Sequence, residues 1–147
     1  MNELQINEGS IVTRQQVIEF EKIMQRGEKI ELQTKHYFSD GLYAREIFIP
    51  KGVILTGMIH KYEQLNIMSL GEMDVLVNGF MKRVKAPFTT VSPPGIKRIA
   101  RAIEDTIWTT ILRTELKDTD EIWNNFVTNS EEEYLNFTRQ QPLLPLE

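Results

Sequence analysis

Cysteine is absent from the 147 residues. That removes disulfide frameworks, thiolate nucleophiles and cysteine-bound zinc. Histidine is scarce, at two copies, so a multi-histidine metal centre or a serine triad has little to draw on. No apolar run approaches the ~20 residues that cross a bilayer. The opening segment, Met1 to Gln5, lacks the positive-then-apolar pattern of a secretory leader. A cytoplasmic protein with no membrane contact is therefore expected. No phosphate-cradling glycine loop, HExxH helix, CxxC pair or GxSxG elbow occurs. Acidic residues are missing across 75–103, where Lys82, Arg83, Lys85, Lys97, Arg98 and Arg101 all fall.

What is present suits a single domain. Hydrophobic residues make up 41% and charged residues 26% of a chain with formal net charge −4, enough apolar content for one sizeable core. The basic window is followed by an acidic one, from Glu115 to Glu133. Two solvated faces of opposite sign account for this, as does a contact between copies; a positive mouth that attracts an anion is the sharper alternative. An acidic total without a basic, aromatic-studded run argues against an extended nucleic-acid surface. The carboxylates Glu104 and Asp105 are adjacent, so on a strand they face opposite ways, poor geometry for an acid–base pair.

Thr13 with Gln16 forms a capping-box signal, and Val17, Phe20, Ile23 and Met24 recur at helical spacing before Gly27. This predicts a short outer helix after an extended arm. From about 29 to 114 the pattern is one of short strands and turns. Strands are predicted over 42–49, 53–59, 65–70, 73–77, 80–84, 89–91, 96–102 and 107–112, with Ile30 and Leu32 starting an earlier run that Phe38 ends. The dipeptide Asn78-Gly79 is a hairpin signal, and Gly52, Gly71 and Gly95 are turn residues. Such spacing argues for a sandwich or barrel. Helical character returns after Asp118, with Ile122, Trp123 and Phe126 on one face, and Ser130 caps a further helix that begins Glu131 to Glu133. The Pro142 to Leu146 tail suits neither helix nor central strand.

One constellation stands out. Gly52 is followed by Met58, His60, Gln64 and Gly71; later come Pro93, Gly95 and Arg98. This spacing resembles the two signatures of the cupin superfamily. The run Glu104 to Thr110 resembles small cupin-like proteins of bacteriophages. The resemblance covers roughly 37–114. It implies a mainly β fold, a cupin double-stranded β-helix or jelly-roll barrel; the N-terminal helix and C-terminal helices, read from the capping and periodicity above, are additions outside it. It also implies a homodimer or larger homo-oligomer.

Where metal-binding cupins hold three histidines and a glutamate, this chain reads Met58, His60, Gln64 and Arg98. A thioether is a weak donor, an amide oxygen carries no charge, and a guanidinium repels a cation. No metal and no cofactor are expected. The same residues describe a pocket for a small anionic molecule: Arg98 as clamp, His60 and Gln64 as orienting groups, and Met58, Trp108, Tyr43 and Arg45 as further lining. A nucleotide-derived host signal sequestered by a phage protein is one such ligand. Alternatives stay open. His60 acting as a base in isomerase-like chemistry, a residual metalloenzyme, or a structural module with Arg98 locked to Glu46, Glu63 or Glu104 are all compatible with the residues. Phe48 reads as core or interface, and His36 as a surface or interface residue with no partner visible.

Overall fold

The structure is a computed structural model in which residues 13–24, 30–77 and 80–140 are described. Gly27, the Asn78-Gly79 turn, the arm before Thr13 and the Pro/Leu tail lie outside those residues.

Alternation builds the first sheet. In β2 (Leu42–Ile49), Tyr43, Ile47 and Ile49 are buried while Leu42 is exposed. In β5 (Gln64–Leu70), Gln64, Asn66 and Met68 are buried. Period-two burial is what a strand with one face on a core requires. Together with β1 (Gln33–Ser39), β8 (Phe88–Ser92) and β10 (Thr106–Arg113), these strands form an antiparallel sheet ordered β1-β2-β10-β5-β8. A second sheet, ordered β3-β9-β6-β7, contains β3 (Ile54–Thr56), β6 (Glu72–Val77), β7 (Phe80–Lys85) and β9 (Ile99–Ala102). Ile47, Ile49, Met68 and Trp108 of the first sheet meet Met73, Val75, Val84, Ala100 and Ala102 of the second in one apolar cluster. Full burial of side chains of this size contributes about 1.5–3 kcal/mol each. The expected two-sheet barrel is therefore the observed architecture.

Gly71 is where the chain leaves the first sheet for the second. Its φ is +98°, and a Cβ there would overlap the Asp105 carbonyl and the Thr106 side chain. Only glycine fits both constraints.

The N-terminal helix α1 (Arg14–Met24) opens with the expected capping box. Thr13 N–H donates to Gln16 Oε1 at 2.9 Å, and Gln16 N–H donates to Thr13 Oγ1 at 3.2 Å. Val17 is fully buried against Leu76 and Ile99. Leu76 follows Val75 in β6, and Val75 belongs to the central cluster, so α1 covers the outer side of the second sheet.

Two expectations need correction. The strand over 53–59 is two strands: β3 stays in the second sheet, whereas β4 (Ile59–His60) pairs with β11 (Val127–Thr128). Gly57 and Met58 lie between them, where Gly57 N–H donates to the Arg98 carbonyl at 2.9 Å. Likewise the strand over 96–102 begins only at Ile99, because residues 95–98 bend away to meet His60; Gly95 N–H donates to the His60 carbonyl at 2.8 Å. The C-terminal helices lie outside the barrel as expected. α2 (Thr119–Phe126) packs Ile122 onto Tyr43 and Leu112 and closes one end of it. α3 (Glu131–Gln140) then starts at Ser130, whose Oγ accepts from Glu133 N–H at 3.1 Å.

The basic window also resolves. Lys82, Arg83, Lys85 and Arg101 are exposed, and Arg83 pairs with Asp74 at 2.9 Å. Lys97 and Arg98 are buried instead. The window is a solvated face plus two interior cations.

Candidate functional site

Register places the site. Arg45 and Tyr43 share the inner face of β2, and Thr110 and Leu112 of β10 lie beside them, with Thr110 paired to Arg45 and Leu112 to Tyr43. His60 enters from β4. Ile122, Trp123 and Phe126 of α2, with Val127 of β11, complete the roof. These nine residues enclose a cavity of about 40 Å³. No carboxylate lines it. A separate groove of about 490 Å³ beside α3 is far more open and is lined by Glu132 and Glu133, which ill suits an anion.

Of the residues picked out in sequence, Tyr43, Arg45 and His60 therefore come together on the cavity wall. Gln64, Arg98, Met58 and Trp108 do not line it. Arg98 and Trp108 are nevertheless adjacent, with the guanidinium carbon 5.6 Å from the indole centroid. Arg98 is also close enough to His60 to act on it electrostatically, as Arg45 is. His60 thus feels the charge of two guanidinium groups.

The electrostatics are unusual for so small a volume. Burial first, then the charge of Arg98, then that of Arg45, push the His60 imidazole down to about 4. At neutral pH it is uncharged. Burial lowers Arg98 to about 10 and lowers Arg45 as well, and both remain cations at neutral pH. Burial raises the Tyr43 phenol, only partly offset by Arg45, so the hydroxyl stays protonated. Neither guanidinium has a carboxylate partner among the described residues. Arg98 does not pair with Glu46, Glu63 or Glu104. It donates instead to the Leu76 carbonyl and to Ser92 Oγ. Arg45 lies over the Trp123 ring at 4.9 Å.

A polar layer beneath the cavity holds this arrangement. Asn66 is 1% exposed. Its Oδ1 accepts from Trp108 Nε1 at 3.2 Å and Thr110 Oγ1 at 2.8 Å, and its Nδ2 donates to Ser92 Oγ at 2.7 Å. Ser92 also receives Arg98, so the network links the arginine to Thr110 on the cavity wall. Three buried atoms nearby have no hydrogen-bond partner: His60 Nδ1, Gln64 Oε1 and Arg98 Nε. Buried polar atoms left unpaired are costly, and these fall on three of the positions singled out by the spacing of the sequence. His36 also has a partner after all. Its Nδ1 lies 2.6 Å from Tyr43 Oη, and the two rings stack.

A transition ion does not fit these donors. Arg98, at the position that the cupin resemblance gives to one ligand, is a buried guanidinium already bonded to Leu76 and Ser92. Among the described residues no three His, Cys, Asp or Glu side chains are grouped closely enough to hold a metal.

Sequence reasoning missed Trp123, Thr110, Ile122, Phe126 and Val127 as lining, and Asn66 and Ser92 as the supporting layer. The helical spacing of Ile122, Trp123 and Phe126 was visible, but nothing local says which surface that face meets. Gln64, Asn66 and Thr110 in the inward phase of their strands were the readable sign of a polar layer.

No family model and no curated protein matches the chain. Solved structures do. The chain is similar to KdgF from Halomonas sp. at 18% identity and a TM-score of 0.52, covering 64% of this chain and 88% of that one. It is also similar to an RmlC-like cupin from Shewanella frigidimarina at 22% identity and a TM-score of 0.52, covering 65% and 86%. At these identities the match shows the fold: a cupin double-stranded β-helix.

Proposed function

We propose that this protein is a metal-free, cupin-like binder of a small anionic molecule, held in the cavity between Arg45, His60 and the roof helix. The observation that carries this reading is the pairing of two buried or half-buried guanidiniums with no carboxylate among the described residues to neutralise them. An uncompensated charge in a low-dielectric interior is expensive. An anion would offset that cost, and would draw hydrogen bonds from Arg45 and from a His60 whose Nδ1 is unpartnered. Arg98, through the Ser92–Asn66–Thr110 layer, contributes field and position. Trp108 supports the pocket from outside its lining, through the Asn66 that also holds Thr110.

Base chemistry by His60 gains little support. A group near 4 is a poor proton acceptor at neutral pH. A nucleotide-derived signal, the ligand suggested by the resemblance to phage proteins, exceeds the enclosed volume with α2 in place; only a fragment of it would enter.

Calorimetric titration of the metal-depleted full chain with formate, acetate, phosphate and nucleotides tests the proposal. Binding of at least one anion, weakened roughly tenfold or more in Arg45→Met, is expected; tenfold corresponds to about 1.4 kcal/mol. Absence of binding by all of them, or binding indifferent to Arg45, refutes it.

We further propose that a second copy of the chain packs on the outer face of the first sheet. Tyr37, Ala44, Ile111, Leu65 and Val91 form one register row across its five strands. Tyr37 is 51% and Val91 54% exposed. In the next row Lys35 pairs in register with Glu46. A patch with one charge of each sign beside an apolar stripe is complementary to its own two-fold copy. Light scattering of Ile111→Glu checks this: the wild type should run as a dimer and the variant as a monomer. A monomeric wild type at micromolar concentration sinks the idea.

A further inference from the structure

The roof of the cavity sets a limit that its walls do not. Four of the nine lining residues, Ile122, Trp123, Phe126 and Val127, come from α2 and β11. That roof is fastened at several points. Asp118 caps α2, accepting from Asp120 and Glu121 N–H at 2.9 and 3.0 Å. Lys61 N–H donates to the Phe126 carbonyl at 2.8 Å, and Val127 pairs with His60 itself. Ile122 is 1% exposed, so lifting α2 would uncover apolar surface. The roof is thus tied directly to the strand that presents His60.

With the roof in place the cavity holds about 40 Å³. A water needs roughly 10–15 Å³ by the same kind of measure. The space therefore suits about three or four non-hydrogen atoms. Its polar groups narrow the chemistry further. Trp123 covers one face of Arg45, leaving the guanidinium to donate from its edge, which matches the plane of a carboxylate. Tyr43 and Thr110 also line the space, but their hydroxyls are already bonded to His36 and Asn66; apart from His60 the remaining lining is apolar.

We propose that the α2 roof makes this a site for a carboxylate-type oxyanion of one or two carbons, such as formate, acetate or bicarbonate, and that Trp123 is the residue that sets the upper size limit. This rests on the anion-binding reading above and goes further by fixing the ligand class. Larger anions are refused because they would have to displace Trp123 and break its stacking on Arg45.

The test is a titration of the full chain followed by the NMR signals of the His60 imidazole. Formate, acetate and bicarbonate are compared with AMP and glucose 6-phosphate. The wild type should prefer the small anions by roughly tenfold or more in Kd, and Trp123→Ala should bring the two groups close to parity. Trp123→Leu replaces the alanine variant if that fails to fold, and the wild-type preference stands as a test without either. If AMP binds the wild type as tightly as acetate and Arg45→Met weakens both, the size limit is wrong while the anion site survives. An unchanged preference in folded Trp123 variants overturns the role of Trp123. If no probe moves the His60 signals, both readings fall.

Discussion

Protonating His60 should destabilise the protein by an amount that can be worked out. Its folded pKa is about 4 against an ordinary 6.5, lowered by burial and then by Arg98 and Arg45. The sign follows from the direction. Above pH 6.5 the imidazole is neutral in both states and contributes no pH dependence. As pH falls from 6.5 towards 4 the unfolded chain takes up a proton that the folded chain refuses, so stability drops. Below about 4 the folded state protonates too and the loss levels off at about 3 kcal/mol. Between pH 7 and pH 5 the loss is about 2 kcal/mol. Urea unfolding followed by tryptophan fluorescence, on wild type and His60→Gln at both pH values, isolates this contribution, because every other titrating group cancels in the comparison. The wild type should lose about 2 kcal/mol more than the variant, a midpoint difference of roughly 1 M urea. A direct NMR titration should place His60 near 4. If the two proteins lose the same stability within about 0.5 kcal/mol, His60 is not held neutral by burial and two guanidinium charges, and the electrostatic case for the anion site goes with it. A saturating anion should raise the His60 pKa and shrink the pH-dependent loss, since a negative charge favours the imidazolium.

Other consequences can be checked by stability measurements. Asn66→Ala removes the acceptor shared by Trp108 and Thr110 and should cost about 2–4 kcal/mol in chemical denaturation; a cost under about 1 kcal/mol would mean that water replaces the network. Gly71→Ala forces a Cβ against Asp105 and Thr106 at a positive φ; a loss of about 3 kcal/mol or more, or failure to accumulate as folded protein, is expected. Thr13→Ala removes half of the α1 capping box and should cost about 1 kcal/mol, seen as a fall of roughly 2–4 °C in Tm.

The barrel could be read before folding because its signals are local. Tyr43, Ile47 and Ile49 alternate with less buried neighbours, Gly71 marks a reversal that no other residue can make, and Thr13 with Gln16 announces a helix start. Period two, a positive φ and a capping box are set by a few consecutive residues, so strands, turns and helix ends follow from the chain itself. The inward placement of His60 and Arg98 was legible through the resemblance of their spacing to the cupin signatures. What neighbours those residues was not. Trp123 meets Arg45 although the two stand far apart in the chain, and Ile59–His60 leaves its predicted strand because Val127–Thr128 arrives to pair with it. Whether a barrel end stands open or roofed depends on where an amphipathic helix finds its apolar counterpart. For α2 that counterpart is Tyr43 and Leu112, a choice made by long-range packing, which no local pattern encodes.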